Sequence, residues 1–166
     1  MVAALTLDIF NSHCDRVVMA NIAQMVNVLQ AVILTDGAKM ICTPTYHVFD
    51  LYKAHHDANY LPSAITCGEC SGVKQLTATA SEKEGVITLT ATNTSCTDAL
   101  DVVVHLSGAS AKDVTARILT GDMHDKNTFE DAEKVTVKPF DAVRVTETGL
   151  NMTLPACSVV EVTIRG

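Results

Sequence analysis

The chain has 166 residues, a net charge of −7, 48% hydrophobic residues and 19% charged residues. That balance excludes a disordered tail, and the acidic excess excludes a face for the nucleic-acid backbone, which needs clustered Lys and Arg. There is no Trp and only 4% aromatics, so a sugar-stacking surface has little to build with. No apolar run approaches the roughly 18 residues of a membrane-spanning helix. The first ten residues, MVAALTLDIF, are apolar and helix-like, with no basic signal region and no cap before them. They read as a helix entered mid-course in a cytoplasmic protein. Residues 15–23, DRVVMANIA, predict a further buried helix with Asp15 as N-cap. The following MVNVLQAVIL is rich in Val and predicts a strand buried on both faces, ended by the turn signal Asp36-Gly37. Residues 39–42 suit a short strand. Thr43 and Pro44, as N-cap and first helical residue, open a helix over TPTYHVFDLYKAHH, with Val48, Leu51 and Tyr52 on its apolar stripe.

After residue 63 the pattern changes. Sixteen Thr occur in the last 103 residues against four in the first 63, and they fall in period-two runs. Such runs cover 76–80, 86–91, 100–106, 114–119, 135–137, 143–145 and 159–164, with turn residues between them. This predicts an antiparallel β-sandwich of jelly-roll or immunoglobulin type. Besides the helix entered mid-course, residues 1–63 supply two helices and one long strand that wants neighbours on both edges. They read as the end of a larger α/β barrel or sheet.

The six cysteines are expected to be reduced thiols in a chain of this size and composition. Cys67-Gly-Glu-Cys70 is a CxxC, but a zinc site needs a second ligand pair. His55-His56 is the nearest, and adjacent side chains point apart. The strand-to-helix context of a redox dithiol is also missing, so a cysteine-containing turn is the expected reading. His13-Cys14-Asp15 reads as a helix-entry segment, and His47 and His105 as structural residues. The loop at 121–135 gathers Gly121, Asp122, Asp125, Asn127 and Asp131, without the spacing of a calcium loop. It is expected to be ordered, pinned by Phe129, and packed on the barrel part or on a neighbouring subunit.

Three stretches carry a family likeness. DIFNSHCDRVVMANIAQMVNVLQAVILTDGAKMICTPTYHVFDLYKAHHDA resembles the closing part of the catalytic barrel of glycoside hydrolase family 51, the intracellular-type α-L-arabinofuranosidases. ILTGDMHDKNTFEDAEKV resembles a loop of that family's C-terminal sandwich, and LPACSVVEVTIRG its last strand. The likeness covers essentially the whole chain. It implies a mainly β fold: a C-terminal jelly-roll-like β-sandwich over residues 64–166, preceded by an α/β remnant of a (β/α)8 barrel over residues 1–63. It places the barrel's eighth strand from residue 23 or 24, and its eighth helix over residues 44–55.

The resemblance also implies the chemistry. Retaining glycosidases need two carboxylates about 5–5.5 Å apart. The family resembled uses glutamates on its fourth and seventh barrel strands, both upstream of this chain. Residues 1–63 contain no Glu at all; their acids are Asp8, Asp15, Asp36, Asp50 and Asp57. Glu130 and Glu133 lie in the sandwich. The chain alone is therefore expected not to hydrolyse glycosides, and its site contains no catalytic residue. Gln24, within Ile22-Ala-Gln-Met-Val-Asn, matches a glutamine that hydrogen-bonds arabinose in the family; an amide offers a donor and an acceptor without charge. Read from the residues alone, Gln24 satisfies backbone groups at a helix–strand junction, and Asn21 and Asn27 are structural amides. The resemblance further implies arabinose-containing oligosaccharides as partners, homo-oligomers, and no metal or other cofactor. Two other readings stay open: a free-standing carbohydrate-binding module, and an oligomerisation domain. A severed barrel also predicts an exposed apolar patch on residues 1–55.

Overall fold

A computed structural model describes residues 1–166. Helix α1 (Val2–Ser12) is followed by strands β1 (Ile33–Asp36) and β2 (Lys39–Cys42), then α2 (Pro44–Tyr52) and a 3-10 turn at Lys53–His55. Strands β3 (Asn59–Leu61), β4 (Glu69–Cys70), β5 (Val73–Lys74), β6 (Leu76–Lys83) and β7 (Val86–Asn93) come next. They lead into β8 (Leu100–His105), β9 (Asp113–Thr120), β10 (Lys138–Pro139), β11 (Val143–Thr146), β12 (Gly149–Leu154) and β13 (Ser158–Arg165). A six-stranded sheet runs β10-β9-β13-β7-β6-β3, and a three-stranded sheet runs β11-β12-β8. All strand pairs are antiparallel.

The mainly β sandwich expected from the alternating runs is present. Its core forms where Leu89, Ala91, Val160, Val162 and Ile164 of the large sheet meet Val102, Leu150, Met152 and Leu154 of the small one. Because side chains alternate across a strand, the opposite face of the large sheet carries the intervening residues. There stand Thr77, Thr79 and Ser81 of β6, and Thr88, Thr90 and Thr92 of β7. This hydroxyl face is not solvated: Thr90 and Thr92 are 0% exposed. Helices α1 and α2 lie on it, and Ala4, Val48, Leu51 and Tyr52 pack against Leu119, Val135 and Val159 in a second core. The large sheet is thus buried on both sides. β3, at residues 59–61, belongs to it through pairing with β6.

Helix α2 forms where Thr43-Pro44 predicts it and buries the expected stripe of Val48, Leu51 and Tyr52. Thr43 does not cap with its side chain; its Oγ1 donates to the Ala31 carbonyl at 2.9 Å, tying the helix start to the preceding segment. The helix predicted over 15–23 is not formed, and Val18 there is 92% exposed. Val17, Val18 and Ile22 are β-branched, and none of them is fully buried, so neither propensity nor packing holds a helix. The long buried strand is also replaced. Val26 makes a single parallel bridge to Ile33, and the regular strand begins only at Ile33, in a two-stranded hairpin with β2. Left-handed backbone at Gln24, Asn27 and Gln30 breaks the extended run.

Among the sandwich strands, the run at 135–137 is displaced. β10 occupies Lys138–Pro139, and Val135 turns into the helix-side core. β12 was not expected from the alternation. It starts at Gly149, where an added Cβ would stand 2.1 Å from the Val104 carbonyl oxygen, so only glycine permits this approach to β8.

Candidate functional site

The segment holding Gln24 joins α1 to β1 across the surface. Gln24 is exposed, with φ of 50°. Asn27 follows in the same left-handed conformation, and its amide grips β1: Nδ2 donates to Thr35 Oγ1 at 2.8 Å, and Oδ1 accepts from Thr35 N at 2.7 Å. Asn27 is therefore a structural amide, though an exposed one. Around these residues the surface is apolar. Thirteen large hydrophobic side chains are exposed, and nine of them precede residue 56, with Val18 and Leu29 each at 92%. The apolar patch expected on residues 1–55 is there.

The seam between the helices and the hydroxyl face holds the strongly perturbed groups. Asp8 is 6% exposed and accepts two bonds, from Tyr52 OH at 2.7 Å and from Thr77 Oγ1 at 2.7 Å. Burial raises its carboxyl pKa to about 6, against the lowering effect of these two donors. Burial and the Asp8 carboxyl push the Tyr52 phenol well above its ordinary range. His55 bridges two strands, with Nδ1 2.7 Å from Ser81 Oγ and Nε2 3.1 Å from Thr90 Oγ1. Burial lowers its pKa to about 4, so the ring is neutral and pairs as one donor and one acceptor.

A second polar cluster fixes α2. Glu161 and Arg117 are cross-strand neighbours on β13 and β9. Arg117 Nε donates to Glu161 Oε2 at 2.6 Å, and Nη1 to Asp50 Oδ2 at 3.0 Å. Lys53 completes the group on Asp50. The Asp50 and Glu161 carboxylates share one guanidinium, which leaves neither free to act as nucleophile or acid. Glu130 and Glu133 are exposed on the 121–135 loop.

That loop is pinned by Asn127, not by Phe129 as its sequence suggests. Asn127 is 6% exposed, whereas Phe129 is only half-buried. Asn127 Nδ2 donates to the carbonyls of Cys42 and Val135 at 2.9 Å each, and its Oδ1 accepts from Val135 N at 2.7 Å. The Cys42 carbonyl ends β2, so the loop packs on the N-terminal part of the chain, one of its two expected positions. Lys134 adds an ion pair to Asp125 at 2.7 Å.

The remaining motifs do not assemble a centre. Cys67 is half-buried with its Sγ donating to the Leu76 carbonyl at 3.6 Å, and Cys70 is exposed. No three His, Cys, Asp or Glu side chains converge in metal-ligating geometry. Between the two sheets a cleft of about 750 Å³ opens beside residues 61–67. Its walls are mostly apolar, including Leu61, Ile65, Leu89, Val102 and Leu106, with Asp101, His105 and Ser107 among the few polar residues that line it. No helix is long and apolar enough to cross a membrane.

Comparison with known proteins gives a consistent result. The family model "Alpha-L-arabinofuranosidase C-terminal domain" matches residues 1–158. An intracellular exo-α-L-arabinofuranosidase of Bacteroides ovatus is 41% identical over 99% of the chain, which spans 33% of that protein. Among solved structures, the family 51 arabinofuranosidase of Xanthomonas axonopodis pv. citri superposes with a TM-score of 0.91 at 40% identity, over 99% of this chain and 34% of that one. A family 51 α-L-arabinofuranosidase of Bifidobacterium longum gives 0.87 at 26% identity, over 99% of this chain and 33% of its own. The chain spans about a third of the length of these relatives.

Proposed function

The chain belongs to the α-L-arabinofuranosidase C-terminal domain family, and from that membership we propose that it works as the C-terminal third of a cytoplasmic α-L-arabinofuranosidase. The parent reaction is retaining hydrolysis of terminal α-L-arabinofuranosyl residues in arabinan and arabinoxylan oligosaccharides, without a cofactor. In this reading residues 1–63 close the catalytic barrel and residues 64–166 buttress it. The observation that supports it best is an asymmetry. One side of the N-terminal part is sealed onto the sheet by Asp8, Tyr52, His55 and Arg117, while Val18, Met19, Met25 and Leu29 face solvent. Apolar side chains in such numbers want a covering surface, and the rest of a barrel supplies one. Gln24 stands on that uncovered side, where its amide hydrogen-bonds the arabinose hydroxyls. Assembly into homo-oligomers belongs to the parent enzyme.

The chain alone has no turnover, because its buried acids are committed to internal partners. An assay of the purified chain with a chromogenic α-L-arabinofuranoside is expected to give no rate above the blank, and clear hydrolysis would overturn the proposal. Placed in a hybrid in place of the matching third of the Bacteroides ovatus relative, the chain supports hydrolysis. Gln24→Ala then lowers kcat/KM by about tenfold, the worth of one neutral hydrogen bond. An unchanged kcat/KM in that variant removes Gln24 from the substrate site.

A further inference from the structure

We propose that Cys96 and Cys157 form a reversible disulfide site, closed by thiol–disulfide exchange with a low-molecular-weight disulfide such as glutathione disulfide. Strands β7 and β13 end their ladder at Asn93 and Ser158. Beyond it the two segments stay joined, because Cys157 N donates to the Ser95 carbonyl at 2.8 Å. That bond sets Cys157 against the residue next to Cys96, so the two cysteines are neighbours across the end of the ladder. A buried amide fixes both segments. Asn93, 0% exposed, donates to the carbonyls of Asp98 at 2.9 Å, Leu154 at 3.1 Å and Pro155 at 2.9 Å. The backbone of Cys157 has φ of 49°, a conformation that favours Gly or Asn, so cysteine is not there to suit the turn.

The two thiols have different tasks. Cys96 is exposed, and its Sγ lies 4.0 Å from the Thr94 carbonyl. It attacks the external disulfide as thiolate, taking one glutathione sulfur and releasing the other as glutathione. Cys157 is half-buried, and burial together with the neighbouring Cys96 raises its pKa, so it is kept as thiol until the mixed disulfide forms. It then loses its proton and attacks the Cys96 sulfur, expelling the second glutathione. Two protein thiols are oxidised to one disulfide while one glutathione disulfide is reduced to two thiols.

The test uses the full 166-residue chain, reduced, desalted and treated with glutathione disulfide at about pH 8, where thiolate is appreciable. The free thiols are then alkylated and the chain is digested with trypsin. Fragment 84–112 contains only Cys96, and fragment 145–165 contains only Cys157. The expected result is these two fragments joined, in a chain lighter by two hydrogens than the reduced form. Its melting midpoint rises above that of the reduced chain and falls back on reduction. In Cys157→Ser the cross-link is lost, and Cys96 retains a glutathione adduct. Separate glutathione adducts on Cys96 and Cys157 in the native chain overturn the proposal. So does a cross-link confined to Cys67 and Cys70, or no reaction at either cysteine.

Discussion

Two titratable side chains of the seam, buried Asp8 and half-buried His55, have opposite effects on stability. Asp8 titrates near 6 in the fold against an ordinary 3.8, so the folded state holds its proton longer than the unfolded one. Its contribution to stability is full below pH 3.8 and is lost as pH rises towards 6. His55 titrates near 4 against 6.5, so its contribution is full above 6.5 and is lost as pH falls towards 4. Each shift is worth about 3 kcal/mol, with opposite signs over nearly the same window, so the two nearly cancel. Urea unfolding from pH 4 to 7 is expected to show little slope from this seam. In Asp8→Asn, stability rises by about 3 kcal/mol over that range, and in His55→Gln it falls by about as much. Parallel profiles for the three proteins would refute the pairing. Asp8 does not stand out in the sequence, where it sits in an apolar helix, and His55 stands out only with His56 as a candidate zinc-ligand pair. What perturbs them is the sheet they land on.

At the scale of elements, the 121–135 loop shows how a sequence signal misleads. A lone Phe among polar residues looks like an anchor. The loop's anchor is instead an amide, which satisfies the N–H and carbonyl of Val135 and the Cys42 carbonyl at the end of β2. Asn127→Ala leaves two buried carbonyls and one buried N–H without partners and costs about 2–3 kcal/mol. Hydrogen exchange should then speed up for the amides of 121–135 while those of β7 and β13 keep their protection. Uniform acceleration across the sheet would mean that the loop is not separately held. The same scale separates the legible elements from the rest. Alternation and turn residues give β6, β7, β8, β9, β11 and β13, and Thr43-Pro44 gives α2, because these elements carry their own patterning and punctuation. Residues 15–33 misread because their apolar spacing implies burial, whereas Val18, Met19, Met25, Val26 and Leu29 are exposed in this chain. β12 hides behind Asn151 and Thr153, and its position depends on Gly149. The Cys96–Cys157 contact leaves no local trace, since a turn and a loop sixty residues apart meet only through the β7–β13 register.

For the whole molecule, the uncovered apolar side of residues 1–55 sets solution behaviour. Exposed Val18, Met19, Met25 and Leu29 drive self-association, so light scattering is expected to show mass rising with concentration above that of a 17.7 kDa monomer. A monomer at all concentrations would show that this surface is adequately solvated. The sandwich and the family were legible in the sequence, the first from alternation and the second from resemblance. The double burial of the large sheet was not, because Thr alternating with apolar residues is the pattern of a sheet with one face in water.

That hydroxyl-covered face bears on what can lie against it. A threonine hydroxyl takes its partner from water or from protein, and those of Thr79 and Thr92, unpartnered under the helices, would gain one in water. An aliphatic wall in the same place would precipitate when stripped of its helices. The β6–β7 part of that face therefore suits either water or a helix as its neighbour, whereas Leu119 and Val159 beside it need the helices as cover.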